Sequence, residues 1–221
     1  MTMIHDLGGA QGWGAVRPPD PDEKVFTKDW EKRAFALALL SMRVSGTNLD
    51  AFRYSMSRLD QKGYFGDGYY GRWLDGAENL LLDSAILAPG AIDARARKLL
   101  DEDAEEPETP EPAKPDYAPT AAGSLRAVDA EPAFAVGTSV RAKDVEPDGH
   151  TRLTAYVRGH QGIVARILPA QLLPDTHAHF LGENPQHVYS VRFSAEELWG
   201  PGGESFDLDI DLYESYLEAV S

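Results

Sequence analysis

Phe206-Asp207-Leu208-Asp209-Ile210-Asp211-Leu212 is the stretch that decides the fold of the C-terminal half. Every second residue is large and apolar, and every residue between is an aspartate. That period of two turns one face of a β-strand into a core and leaves the other in water. Tyr189-Ser190-Val191-Arg192-Phe193 repeats the pattern, with Ser190 and Arg192 on the outer face. Gly137, Gly149, Gly159 and Gly162 punctuate the remaining candidate strands. Ser194, followed three residues later by Glu197, fits a capping box for a short helical turn before Trp199-Gly200. Several short strands in residues 131–221 predict a small, partly open barrel.

Working outward from there, the period becomes helical. Trp30 to Arg43 is filled with Ala and Leu, and apolar residues cover most of its circumference, which predicts burial on several sides. Asn48 can cap a second helix with Asp50 in its first turn and Phe52, Met56 and Leu59 on its inner face. After a Gly- and Tyr-rich break from Lys62 to Gly68, a third helix runs from Tyr69 to Ile86. Tyr69, Trp73, Ala77 and Leu80 align on it. Ala91 to Leu100 is a fourth. Residues 101–130 are acidic, Pro-rich and poor in large apolar groups, and read as an extended linker. Residues 1–28 have no period, yet carry Ile4, Leu7, Trp13 and Val16. They read as an arm lying on another surface, of this chain or of a partner. The expected class is α+β: an extended arm (1–28), a helical domain (29–100), a linker (101–130) and a β-barrel domain (131–221).

Composition narrows the chemistry. The 221 residues include no cysteine, so this chain holds no disulfide, thiolate metal site or cysteine nucleophile. A net charge of −15 argues against nucleic acid. Eight acidic residues and one Lys between Asp101 and Asp116 give a net −7, nearly half of the total. The N-terminus has no basic leader, and the apolar run Ala34 to Leu40 is far shorter than the ~20 residues of a membrane span. A cytoplasmic chain without membrane contact is expected.

Gly8-Gly9-Ala10-Gln11-Gly12-Trp13-Gly14 superficially resembles a phosphate loop, but no strand precedes it and no helix directly follows, so it reads as a flexible arm. His177, His179 and His187 lack a firm acidic ligand beside them and read as loop histidines. Arg53 sits beside Phe52 near the buried face of its helix, as a snorkelling or ion-paired side chain or as a functional one. Arg158, in Tyr156-Val157-Arg158-Gly159, is a turn residue, solvated unless something recruits it. Tyr69, Tyr70 and Trp73 are core or interface aromatics first. No nucleophile–base pair or carboxylate dyad stands out, so catalysis by this chain alone is not supported.

Taken in order, several stretches resemble the nitrile hydratase β subunit. They are His5-Asp6-Leu7-Gly8-Gly9 with Gly12-Trp13-Gly14, Val25-Phe26 with Trp30-Glu31-Lys32, Leu49-Asp50-Ala51-Phe52-Arg53, and Gly68-Tyr69-Tyr70-Gly71-Arg72-Trp73. In the barrel half they are Gly149-His150, Tyr156-Val157-Arg158-Gly159 with Gly162, Tyr189-Ser190-Val191-Arg192-Phe193 and Glu197-Leu198-Trp199-Gly200. The resemblance implies a helical region plus an SH3-like β-barrel, and hydration of nitriles to amides. It implies no cofactor on this chain alone. A Co(III) or Fe(III) centre belongs to an α subunit, where a Cys-x-x-Cys-x-Cys claw carries two oxidised cysteines. It implies an αβ heterodimer, assembling as α2β2. By the same resemblance, Arg53 and Arg158 hydrogen-bond the oxidised cysteines, and Tyr69 orients the nucleophile or substrate. Trp73, Leu49 and Phe52 line the substrate channel. Trp73, where iron-type relatives often carry Tyr, leans towards cobalt; Thr154 departs from a common Pro. Competing readings are a non-enzymatic metallochaperone of the same system, a thiocyanate hydrolase-like subunit, and an RNA-binding SH3-like barrel suggested by Arg158-Gly159-x-x-Gly162.

Overall fold

Small side chains bring the helices together. A computed structural model describes residues 3–10, 12, 14–15, 17–113, 115, 117, 122–202 and 205–220; Trp13 and Val16 of the arm lie outside them. Helix α1 (Asp29–Ser45) buries one stripe, Ala34, Ala38, Ser41 and Ser45, at helical spacing. Its start is fixed by Glu31, whose carboxylate accepts the Lys28 N–H at 2.9 Å and lies 3.0 Å from the Thr27 hydroxyl. Helix α2 (Leu49–Ser57) is capped by Asn48, which accepts the Ala51 N–H at 2.8 Å. The expected break holds a one-turn helix, α3 (Gln61–Phe65), because Asp60 caps it through the Gly63 N–H at 2.7 Å. Helices α4 (Gly68–Asp83) and α5 (Ala91–Leu99) follow.

Both α1 and α2 pack on α4, around Ala38, Ala51, Phe52, Ala77 and Leu80. A Cβ on Gly76 would come within 2.5 Å of Met56 Cγ, so α2 and α4 approach only because that residue is glycine. The expectation that α1 is buried on several sides is corrected. Leu37 and Leu40 are 52% and 57% exposed, and Phe35, Leu39 and Val44 also face outward. A stripe of small residues is enough to dock α1 on α4, and the large residues stay exposed.

In the C-terminal half, β1 (Ser139–Ala142), β2 (Gln161–Gln171), β3 (Gln186–Ser194), β4 (Asp207–Tyr213) and β5 (Leu217–Ala219) form one antiparallel sheet, ordered β4-β3-β2-β1-β5. The two stretches that predicted strands lie side by side. Tyr189 pairs with Leu212, Val191 with Ile210 and Phe193 with Leu208, so their apolar faces coincide. Arg192 forms a fork on Asp209, at 2.7 and 3.0 Å, on the wet face. Ser190 departs from the expected outer face: it is fully buried, with Arg166 Nη2 3.2 Å from its hydroxyl.

The five-stranded sheet is open, not closed into a barrel. Strands β4 and β5 are the two ends of the ladder and are separated by a 3-10 turn, Glu214–Tyr216. Groups from outside the strands complete the core instead: Leu153, Val157, Leu173, Tyr216 and Leu198. Two short helices, α6 (Pro174–His177) and α7 (Ala195–Trp199), carry or adjoin some of them. Ser194 caps α7 by accepting the Glu197 N–H at 3.1 Å. The expected reciprocal half of that box goes elsewhere, because Glu197 accepts the Gln161 N–H at 2.9 Å.

The chain divides into two compact units, Gly14–Ala118 and a second made of Met1–Trp13 with Pro119–Ser221. Gly8 and Gly9 therefore have a packing role and are not a flexible loop. A Cβ on Gly8 would meet the Tyr156 ring at 2.2 Å, and Gly9, at φ +75°, sits 3.0 Å from Trp199 Nε1. In the helical unit the acidic stretch folds back on α5: Glu106 pairs with Arg95 and Lys98 at 3.1 and 3.3 Å, and Glu102 with Arg97 at 3.1 Å. Residues 123–126 run along β2, where the Arg126 N–H meets the Ala170 carbonyl at 2.9 Å.

Candidate active-site arginines and their supports

Arg158 follows a 3-10 turn, Ala155–Val157, and precedes Gly159, whose φ of +76° lets the chain enter β2. Its side chain is only 11% exposed, so it is not the solvated turn residue that the sequence alone allowed. Nη2 donates to the Leu153 carbonyl at 2.9 Å and lies 3.7 Å from Asp6 Oδ2. The same Asp6 oxygen accepts the Ala155 N–H at 2.8 Å, and its side chain is 8% exposed. Arg158 Nε is buried and has no hydrogen-bond partner among the described residues; His5 Nδ1 and Thr154 Oγ1 share that condition. All three side chains line one cleft of about 300 Å³ with Asp6, Glu146 and Tyr156. Burial holds the His5 imidazole below its ordinary range against the opposing pull of Asp6, with Arg152 adding to the depression.

The loop that carries Leu153 is anchored from beneath. The Tyr216 hydroxyl donates to Asp175 and accepts the Arg152 N–H at 3.1 Å. Thr151 Oγ1 accepts the Leu153 N–H at 3.1 Å. The His150 N–H donates to His179 Nε2 at 3.0 Å, and a Cβ on Gly149 would meet that ring nitrogen at 2.3 Å. Burial raises Asp175 above the usual carboxylate range, opposed by the Tyr216 and Thr151 hydrogen bonds. Tyr216 is raised by burial and by the Asp175 charge. His177 and His179 are thus not idle loop residues: one is buried and the other holds the 149–150 turn. Nothing in the sequence pairs Asp175, Tyr216 and Asp6 with Arg158, since each arrives from a distant segment.

In the helical unit, Phe52 and Trp73 meet edge to face at 5.5 Å, and Phe35 and Tyr69 lie 5.6 and 5.7 Å from Trp73. Phe52 is buried, whereas Tyr69 is 58% and Leu49 49% exposed. Three of the expected residues, Tyr69, Trp73 and Phe52, therefore share one aromatic cluster, and Leu49 opens α2 at the surface. Arg53 turns to Asp50, 3.1 Å away, and is 44% exposed. It is ion-paired, on a more open face than expected. Arg158 belongs to the other unit.

Among the described residues no group of three His, Cys, Asp or Glu could hold a metal ion, and no helix is long and apolar enough to cross a membrane. Arg158 is one of three arginines among the described residues, with Arg72 and Arg141, whose Nε is buried without a hydrogen-bond partner, and it is the one of the three that lines the cleft with His5 and Asp6. Residues 1–122 match the family "Nitrile hydratase beta subunit, N-terminal" and residues 123–219 match "Nitrile hydratase beta subunit, C-terminal". The chain is 37% identical to the nitrile hydratase subunit beta of Pseudomonas putida over 220 residues, 99% of each chain. It is 36% identical to the low-molecular weight cobalt-containing nitrile hydratase subunit beta of Rhodococcus rhodochrous, over 98% of this chain and 99% of that one. Similarity to the thiocyanate hydrolase subunit alpha of Thiobacillus thioparus is 32% over 88 residues, 38% of this chain and 70% of that one. The chain belongs to the nitrile hydratase β-subunit family. It is a subunit of an enzyme that hydrates nitriles to amides.

Proposed function

We propose that this chain supplies Arg53, Arg158, Tyr69 and an aromatic wall to a catalytic centre whose metal sits in an α subunit. The observation that carries the proposal is Arg158, whose guanidinium is buried with its Nε unsatisfied. Such a donor is costly to bury unless an acceptor meets it. Oxidised, anionic cysteine oxygens on a partner are acceptors of the right charge for its planar fork. Arg53 plays the same part from α2, with Asp50 holding it in readiness. Tyr69 orients the nucleophile or nitrile, and Trp73, Phe52 and Leu49 set the channel width. The α-subunit metal supplies polarisation of the nitrile or of the attacking water.

The cobalt-containing names of relatives favour Co(III) over Fe(III). An αβ heterodimer pairing into α2β2 is part of the same proposal, and the outward Leu37, Leu40 and Val44 of α1 support burial by the α subunit. The open sheet is read as the SH3-like barrel of the family. Its five-stranded antiparallel order and its irregular β2–β3 register, which bends the sheet, support that. An arm at 1–28, a helical domain at 29–100, a linker at 101–130 and a barrel domain at 131–221 are part of the same proposal. A thiocyanate hydrolase-like role has the shorter similarity behind it, and a chaperone role does not account for relatives matched along their whole length.

The test is to produce this chain with and without its α subunit and to measure amide formation and bound metal. Activity and metal are expected only in the pair. Arg158→Lys and Arg53→Lys should each lower turnover about 100-fold or more while the complex still assembles. Wild-type rates in both variants, or turnover by this chain alone, would overturn the proposal.

A further inference from the structure

We infer that Asp6 is the positioning residue for Arg158, so that the first residues of the chain are a working part of the site. This rests on the reading of Arg158 given above and deepens it. Asp6 makes two contacts of different kinds. One oxygen accepts the Ala155 N–H at 2.8 Å, which fastens the turn that carries the arginine. The same oxygen faces Arg158 Nη2 at 3.7 Å, an ion pair rather than a hydrogen bond, with side chains 8% and 11% exposed. At that burial the charges are poorly screened, so the pair constrains the guanidinium strongly. The Leu153 carbonyl holds Nη2 from a second direction, and Nε is a buried donor without a partner among the described residues. Asp6 is kept in place by its neighbours, because Gly8 and Gly9 let the arm lie against Tyr156 and Trp199 where a larger residue would collide. A long, flexible arginine becomes a fixed donor, and a misplacement of about 1 Å at such a group can cost about 100-fold in rate.

The substitution Asp6→Asn separates the two contacts. Its amide oxygen still accepts the Ala155 N–H, while the charge facing Arg158 is lost. In the metal-loaded complex with the α subunit, Asp6→Asn should lower kcat about tenfold with KM within about twofold. Bound metal and Tm should stay at wild-type values, and Asp6→Glu, which keeps the charge, should restore part of kcat. In an Arg158→Lys background the same Asp6→Asn change should cost less than about twofold, because the two residues act as a unit. The inference is overturned if Asp6→Asn turns over at the wild-type rate while Arg158→Lys is crippled. It is equally overturned if Asp6→Asn costs about tenfold in both backgrounds, which is the mark of a purely structural role. A wild-type rate in Arg158→Lys would instead remove the role of the arginine itself, and with it anything for Asp6 to position.

Discussion

The two units of this chain are built on opposite plans. In the sheet unit the large side chains are inside: Tyr189, Phe193, Leu153 and Leu212 are each no more than 1% exposed. In the helical unit Phe52 is the one large apolar side chain of the described residues buried to that degree, and alanines and serines make up most of the rest. The large residues of α1 face out. The difference teaches which unit can stand on its own. Burial of apolar area is the main driving force of folding, so the sheet unit carries its stability within itself. The helical unit leaves much of its apolar surface exposed.

The widest gap should appear when the same kind of truncation is made in each. Phe193→Ala empties a packed core and should destabilise the chain by about 3–5 kcal/mol in a denaturant titration. Leu40→Ala removes a side chain that touches water and should change stability by less than about 0.5 kcal/mol. Equal losses would mean that α1 is buried in the free chain and the contrast is false. Next in size, Leu37→Asp combined with Leu40→Asp should weaken association with the α subunit about 100-fold while the free chain keeps its Tm to within ~2 °C. Unchanged association in a binding titration would move the interface off this face.

Tyr216→Phe sharpens the comparison from the other side. The hydroxyl lost serves both the Asp175 carboxylate and the Arg152 N–H. Leaving those groups unsatisfied should cost about 1–3 kcal/mol, read from the shift in denaturation midpoint, with a fall in turnover as the loop under Arg158 loosens. A variant as stable and as active as wild type would show that this anchor is dispensable.

Local pattern made much of this visible in the sequence, and long-range pairing hid the rest. The alternation in Phe206 to Leu212 carries through to the structure, because a strand's face is decided by neighbours two residues away. The Asn48 cap and the Tyr69–Leu80 stripe are local in the same sense. What covers a helix is not local: Trp30 to Arg43 is apolar round most of its circumference, and only the docking of its small-residue stripe on α4 decides which side is inside. How far the partly open barrel curls is not local either, since periodicity counts strands and does not join their edges. The site was legible as residue types without their supports. Arg158 stood out only through resemblance, and its burial depends on Asp6, which bonds the Ala155 N–H across 149 positions of sequence.

The smallest effect should come from the acidic stretch, and it tests whether charge does for residues 102–108 what burial does elsewhere. Hydrogen bonds from Arg95 and Lys98 hold the Glu106 carboxyl below its ordinary value of 4.5. A depressed carboxylate binds protons less well folded than unfolded. The stabilisation is therefore present above that ordinary value and is lost as pH falls through the lowered one. Glu106 lies at the surface, so the gain is slight and salt should screen it, the Debye length falling to about 3 Å at 1 M. Amide protection across 102–108, taken relative to the intrinsic exchange rate at each pH, should fall both on acidification through that range and in 1 M NaCl at neutral pH, while protection in α1 and α4 stays as it was. Release of α5 together with the rest of the helices would mean instead that these ion pairs help hold the helical unit together. The contrast would then shift: the helical unit would be sustained by surface charge as well as by its partner.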